Sequence, residues 1–235
     1  MKKKPKILYF DLEVMAHKGF YWGQIWETNI IESTEYGKIL CYGAKWEGGR
    51  TFSRGLIDFK RNREYQLVKE LRELLDRADL VIGHNEKAFD IKWCNTKFAY
   101  YKLPPPSPFK VSDTKTEAKK YFYLPSYKLD NIADYFGLGR KLEHEGFPMW
   151  KRCMAGDRAS WAKMMRYCRN DVNLDAKVMK ILKPFVEIKG IWSGACTHCG
   201  SKNLQSRGLT LDGKKRRVAC RDCAGWSTIS IKSRL

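Results

Sequence analysis

Three groups of side chains in this sequence have the types and spacing to do chemistry together. The first is Asp11-Leu12-Glu13, set inside the apolar run Ile7-Leu8-Tyr9-Phe10-Asp11-Leu12-Glu13-Val14. Strand alternation there points both carboxylates to one sheet face, close enough to share a divalent cation. With acids at 26 of 235 positions, an acid-x-acid triplet arises by chance roughly three times, so position must add the information. Two carboxylates in an apolar strand repel and desolvate one another at a cost of several kcal/mol, which a cation offsets. The second group, Asn85 and Asp90, follows Val81-Ile82-Gly83 at a strand end, where open α/β sheets place chemistry. The third is Tyr167-x-x-x-Asp171, whose spacing of four puts phenol and carboxylate on one helix face. Each has a plain structural reading: Asp90 as a helix cap, Tyr167 as core and Asp171 as a surface acid.

A fourth group points to a different metal. Cys196-x-x-Cys199 and Cys220-x-x-Cys223 are separated by 20 residues, the spacing of a four-thiolate structural zinc site. Between them, Leu209–Leu211, an Asp212-Gly213 turn and Lys214–Val218 read as a β-hairpin, which composes a zinc ribbon. A segment this short lacks the core to fold without its metal. His198 reads as a bystander in the first knuckle. Lys214, Lys215, Arg216, Arg217 and Arg221 cluster on or beside the hairpin, where they could neutralise phosphates without reading bases.

The elements that must position these groups follow from periodicity. Ile7–Val14, Lys38–Trp46 and Arg50–Ser53 read as meandering strands, the last two joined by Glu47-Gly48-Gly49. Asn62–Arg77 carries Leu67, Leu71, Leu74 and Leu75 at helical spacing; a buried strand, Ala78–Gly83, and a helix from about Phe89 to Tyr101 follow. After the Pro104–Pro108 run come a strand at Lys110–Asp113 and helices near Lys128–Phe136 and Ser160–Leu182. Val186–Gly194 reads as a linker, dividing the chain into residues 1–188 and 189–235. The fold class is α/β: a mixed sheet flanked by helices, plus a small C-terminal four-cysteine ribbon.

Composition narrows the function. Hydrophobic residues make up 43% and aromatic residues 13%, which excludes disordered, collagenous and coiled-coil chains. Forty-five Lys and Arg against 26 Asp and Glu leave a net charge of +19, which favours a polyanionic partner. Residues 190–235 alone carry nine basic and two acidic side chains. No apolar run reaches a membrane span, the Met1–Lys6 start reads as neither anchor nor signal peptide, and the cysteine pattern fits a reducing, cytoplasmic setting.

In this order, the three acidic elements resemble the DEDD superfamily of 3′-to-5′ exonucleases, the DnaQ-like branch of the ribonuclease H-like fold. Asp11-x-Glu13 matches the first motif, Asn85-x-x-x-Phe89-Asp90 the second and Tyr167-x-x-x-Asp171 the third in its tyrosine (DEDDy) form, at separations of 79 and 81 residues. Ser126–Asp130 and Phe136–Gly139 add to the likeness, which is greatest to standalone phage-encoded members with a C-terminal zinc ribbon. In a phage-encoded member the setting would be the host cytoplasm. Val14 departs from the pattern, since many members carry Thr after the glutamate.

The resemblance implies two catalytic Mg²⁺ or Mn²⁺ ions and one structural Zn²⁺. By analogy, Asp11 bridges both catalytic ions, Glu13 and Asp171 complete the nucleophile side, Asp90 holds the second ion, and Tyr167 orients the attacking water. It further implies nucleoside 5′-monophosphate products, with single-stranded DNA favoured over RNA. A DNA polymerase is a candidate partner. Asn85 and the ribbon cations Lys214, Lys215, Arg216, Arg217 and Arg221 are the candidate nucleic-acid contacts. The competing readings are an exoribonuclease and a non-catalytic zinc-ribbon nucleic-acid binder. Phe20–Trp26 reads equally as a base-stacking segment or as a short helix packed on the sheet.

Overall fold

The alternation in the first apolar run is realised in the computed structural model as strand β1 (Ile7–Val14), whose two faces feed two different cores. Residues 5–23, 30–59, 63–186, 195–196 and 198–231 are described. Leu8, Phe10 and Leu12 enter one buried cluster, and Ile7 and Tyr9 enter the other. Asp11 and Glu13 therefore continue the Ile7/Tyr9 face, where apolar side chains give way to carboxylates.

Two short strands, β2 (Lys18–Tyr21) and β3 (Ile30–Glu35), pair only with each other. The chain then returns through β4 (Ile39–Trp46) and β5 (Thr51–Gly55), antiparallel neighbours that extend the sheet from β1 as the sequence anticipates. Helix α1 (Arg63–Asp76) buries Leu67, Leu71, Leu74 and Leu75. It leads to β6 (Leu80–Gly83), helix α2 (Asp90–Tyr100) and β7 (Lys110–Asp113). The sheet order is β5-β4-β1-β6-β7, with β6 parallel to β1 and β7 parallel to β6, so the sheet is mixed. Helices α3 (Thr114–Tyr121), α4 (Leu129–Tyr135), α5 (Phe147–Met154) and α6 (Arg158–Leu182) complete this part of the chain.

Helix α6 crosses the sheet closely because Gly43, the β4 partner of Asp11, has no side chain. A Cβ there would stand 2.8 Å from the Cys168 carbonyl oxygen and 3.0 Å from a Val172 methyl. This approach brings Asp171 over β1. Gly43→Ala is expected to lift α6 and cost about 1–3 kcal/mol of stability. Thermal denaturation checks it; an unchanged melting temperature would contradict the close approach.

The C-terminal segment forms an antiparallel sheet of β8 (Leu204–Leu209), β9 (Lys215–Cys220) and β10 (Trp226–Ser230), in the order β10-β9-β8. The expected hairpin is thus β8–β9, with β10 an additional strand. Lys215 on β9 anchors this unit to the start of β6: its Nζ lies 2.9 Å from Asp79 Oδ1 and donates to the Ala78 carbonyl at 2.8 Å. Thr228 Oγ1 also donates to the Pro108 carbonyl at 3.2 Å.

Three elements differ from the sequence expectation. Lys18–Tyr21 is an exposed strand, so the packed short helix over Phe20–Trp26 does not form through its first half, and residues 24–26 lie outside the described residues. Helix α3 is polar, burying only Thr114 and Ala118, and is started by Asp113, whose carboxylate accepts from the Lys115 and Thr116 backbone N–H groups. Helix α5 is short and begins Phe147-Pro148, the proline early in the first turn. The expected boundary at residue 188 falls within 187–194, outside the described residues.

Candidate metal centres

Strand β1 and helix α6 bring Asp11, Glu13 and Asp171 together, with one carboxylate oxygen from each lying within 4.8 Å of the others. Asp171 is 2% exposed, and its Oδ1 has no hydrogen-bond partner among the described residues. Asp90 opens α2 beside this trio but outside it. Its Oδ1 accepts from the Leu12 backbone N–H at 2.9 Å, which pins the start of α2 between Asp11 and Glu13.

Burial and mutual repulsion dominate the electrostatics. Burial, then the charges of Asp90, Glu13 and Asp171, push the Asp11 carboxyl well above the usual range. Burial and Asp171 push Glu13 up to about 8. Burial raises Asp90 to about 7 against the opposing Leu12 hydrogen bond, and it also raises Asp171. Lys141 supplies the compensating charge, its Nζ 2.6 Å from Asp171 Oδ2 and 5.1 Å from the centre of the Tyr167 ring. Burial, then Asp171, holds the Tyr167 phenol above its ordinary value, so it stays protonated at neutral pH.

These raised carboxyls bind more protons in the folded than in the unfolded chain. Their contribution to stability is greatest at low pH and is lost as pH rises through about 7 for Asp90 and about 8 for Glu13. Zinc-loaded protein dialysed free of other divalent ions is expected to melt at progressively lower temperature between about pH 5 and pH 8. Added Mg²⁺ or Mn²⁺ is expected to flatten that slope, as calorimetry at several pH values would read. Orphaned, mutually repelling hard oxygen donors fit such ions.

Several residues around the acids carry no sequence signal. Trp150 hydrogen-bonds Glu13, and His144 stands edge-on to Tyr167 with ring centroids 4.7 Å apart. Cys168 Sγ lies 3.6 Å from the Asp11 carbonyl oxygen. Behind the trio, Glu86 is fully buried with both carboxylate oxygens unpartnered among the described residues. Asp175, one turn beyond Asp171, is bonded to Thr114 Oγ1 at 2.5 Å. His84 bridges Thr114 Oγ1 and the Tyr127 carbonyl at 3.0 Å each. Burial drops its imidazole to about 4, so it is neutral. Asn85 has a positive φ of 68°; its N–H donates to Asp113 at 3.0 Å and its side-chain oxygen accepts from Lys115 at 3.0 Å. In this arrangement Asn85 shapes the turn between β6 and α2.

The second centre comprises Cys196, Cys199, Cys220 and Cys223, whose sulfurs all lie within 4.8 Å of one another. Cys196 and Cys223 are 3.6 Å apart, and Cys199 and Cys220 are 3.7 Å apart. Four sulfurs about 2.3 Å from a tetrahedral zinc lie about 3.8 Å from each other, so the quartet fits that ion. Burial opposes ionisation of Cys196, but the Cys199 and His198 N–H groups outweigh it and hold the thiol near about 6. His198 faces away, with its Nε2 3.1 Å from the Trp226 carbonyl. Of the ribbon cations, Lys214, Arg217 and Arg221 are exposed, Arg216 is half-buried, and Lys215 is spent on Asp79.

The family model described as RNase_H superfamily matches residues 27–183. That span contains Asp90, Tyr167 and Asp171 and begins after β1, so Asp11 and Glu13 precede it. Among solved structures, the family B DNA polymerase from the hyperthermophilic archaeon Pyrobaculum calidifontis is similar, with a TM-score of 0.58 and 17% identity. The likeness covers 78% of this chain and 25% of that chain, so this chain spans about a quarter of the polymerase's length, and the similarity is one of fold. No curated protein matches.

Proposed function

We propose that this chain, which belongs to the RNase H superfamily over residues 27–183, is a metal-dependent 3′-to-5′ exonuclease that releases nucleoside 5′-monophosphates from single-stranded DNA. The observation that carries the reading is the convergence of Asp11, Glu13 and Asp171 within 4.8 Å, with Asp90 and Tyr167 beside them. The motif order supports the DEDDy subtype, and the net charge of +19 supports a polyanionic substrate.

Asp11, Glu13 and Asp171 would hold Mg²⁺ or Mn²⁺, with Asp90 completing the donor set. Such ions supply activation of water and stabilisation of the leaving 3′ oxygen. The chain's own residues do the rest. Tyr167, kept protonated, can orient the attacking water through its hydroxyl but does not serve as the base. Lys141 holds the Asp171 carboxylate in place and offsets part of the cluster's charge. Glu86 and Asp175 are buried within electrostatic reach of Asp90.

A zinc ion in the four-thiolate centre would fold the ribbon, and Lys214, Arg217 and Arg221 would contact phosphates further along the strand. Lys215 instead joins the ribbon to the body. That anchor at Asp79 lies opposite Lys6, one residue before the Ile7–Leu80 pair, so it stands about 16 Å along β1 from Asp11. The ribbon therefore grips the strand away from the scissile bond.

Product analysis tests the reaction. Matched DNA and RNA strands are digested with Mg²⁺ and the released species identified by mass. Nucleoside 5′-monophosphates from the DNA strand support the proposal. Efficient release from RNA alone makes the chain an exoribonuclease, and 3′-phosphate products overturn the mechanism.

A further inference from the structure

The β2–β3 hairpin, whose strands pair only with each other, carries exposed apolar side chains just past the β1 acids. Phe20 is 63%, Trp22 82% and Tyr36 69% exposed, and Tyr21, Ile30 and Ile31 are also exposed. Exposed apolar side chains gathered on one arm mark an interaction site.

Its root is tied down by hydrogen bonds and lies just past the β1 acids. β1 ends just past Glu13, and the Met15 N–H donates to the Lys38 carbonyl at 2.8 Å, closing the base of the arm. Gly37 donates to His17 Nδ1 at 3.2 Å and accepts from Lys97 Nζ at 2.7 Å; a Cβ on Gly37 would collide with the Met15 carbonyl and the Trp93 ring. A file of rings leads outward from the site. Phe89, the residue before Asp90, meets Trp93 at 6.4 Å. Trp93 stacks on His17 at 5.6 Å, and His17 meets Tyr36 edge-on at 6.0 Å.

The ammonium groups at the arm are engaged, since Lys18 and Lys38 both bridge Glu35, at 2.6 and 2.7 Å, while Glu32 stands exposed opposite Phe20. What the arm offers a ligand is therefore ring faces rather than ammonium groups. An apolar file that starts beside Asp90 and presents aromatic faces matches unpaired nucleobases, which stack on such rings irrespective of sequence. We propose that the β2–β3 arm, with Phe20, Trp22 and Tyr36, is a stacking platform for the unpaired bases upstream of the 3′ end held at the acids. The inference rests on the nuclease reading.

The test compares wild type with the Phe20→Ala/Trp22→Ala double variant, whose exposed substitutions spare the core. Binding is read by fluorescence anisotropy without Mg²⁺, using an oligo-dT strand and an abasic strand of equal length. Wild type is expected to prefer the base-bearing strand, and the variant to lose roughly fivefold to a hundredfold for oligo-dT with a much smaller loss for the abasic strand. No base preference in wild type, or equal losses on both strands, would overturn the platform. So would sedimentation showing that the variant loses self-association while keeping its oligo-dT affinity, which would make the arm a contact for a second copy. Cleavage of the same strand by wild type with Mg²⁺ is followed in parallel. A preserved base preference without cleavage supports the arm while refuting the nuclease reading.

Discussion

Asp171→Asn is expected to lower turnover by about a thousandfold or more while leaving single-strand affinity close to that of wild type. The substitution keeps the shape of a side chain that is 2% exposed and keeps an oxygen for Lys141, but removes the charge that closes the trio with Asp11 and Glu13. Asp171→Ala is expected to lose the same activity and, in addition, to cost about 1–2 kcal/mol of stability, because Lys141 is left without its partner. The figure is small for a buried pair since the Lys141 side chain is 33% exposed and solvent takes up part of the loss. Steady-state kinetics beside thermal melts separates the two effects. Equal activity loss with unequal stability loss is the expected pattern, and retained turnover in Asp171→Asn would remove Asp171 from the site.

Cys220→Ser is expected to abolish bound zinc and unfold the ribbon without unfolding the sheet domain. Zinc binding in small four-ligand modules is worth about 10–16 kcal/mol, and that free energy is their folding free energy. The ribbon has little else, since among the described residues its buried apolar side chains are Ala195, Val218 and Ile229 beside the cysteines. The body keeps its own two cores and loses the contacts of Lys215 with Asp79 and Ala78 and of Thr228 with Pro108. Elemental analysis and limited proteolysis would read the outcome. The expected result is no zinc and rapid trimming to a resistant fragment ending near residue 188. Full zinc content in the variant would contradict the four-thiolate assignment.

What could be read from the sequence depended on burial leaving a periodic trace. β1, β4, α1 and α6 bury one or both faces, so their apolar residues recur at strand or helix spacing, and the acids and Tyr167 could be placed on them by counting. The β2–β3 hairpin is solvated on both faces and leaves no such pattern, while α3 is a polar helix betrayed only by its Asp113 cap. The residues proposed to bind ions were legible because such a function would constrain residue type and spacing together. Lys141, His144 and Trp150 reach the site through tertiary packing, and Glu86 and Asp175 read as ordinary acids until the fold buries them. Lys215 illustrates the converse: counted with the basic cluster, it proves to be a docking side chain once Asp79 is seen beside it.

Joint action of the β1 and α6 carboxylates on the 3′ end of a nucleic acid strand is the core of the proposed function. Its most direct test is the time course of a 5′-labelled single-stranded DNA with zinc-loaded protein, with Mg²⁺ present or omitted, and with Asp171→Asn as control. A ladder that shortens stepwise from the 3′ end, appears only with Mg²⁺ and is absent in the variant is the predicted result. Intact strands with wild type and Mg²⁺, or the same ladder from Asp171→Asn, would contradict it.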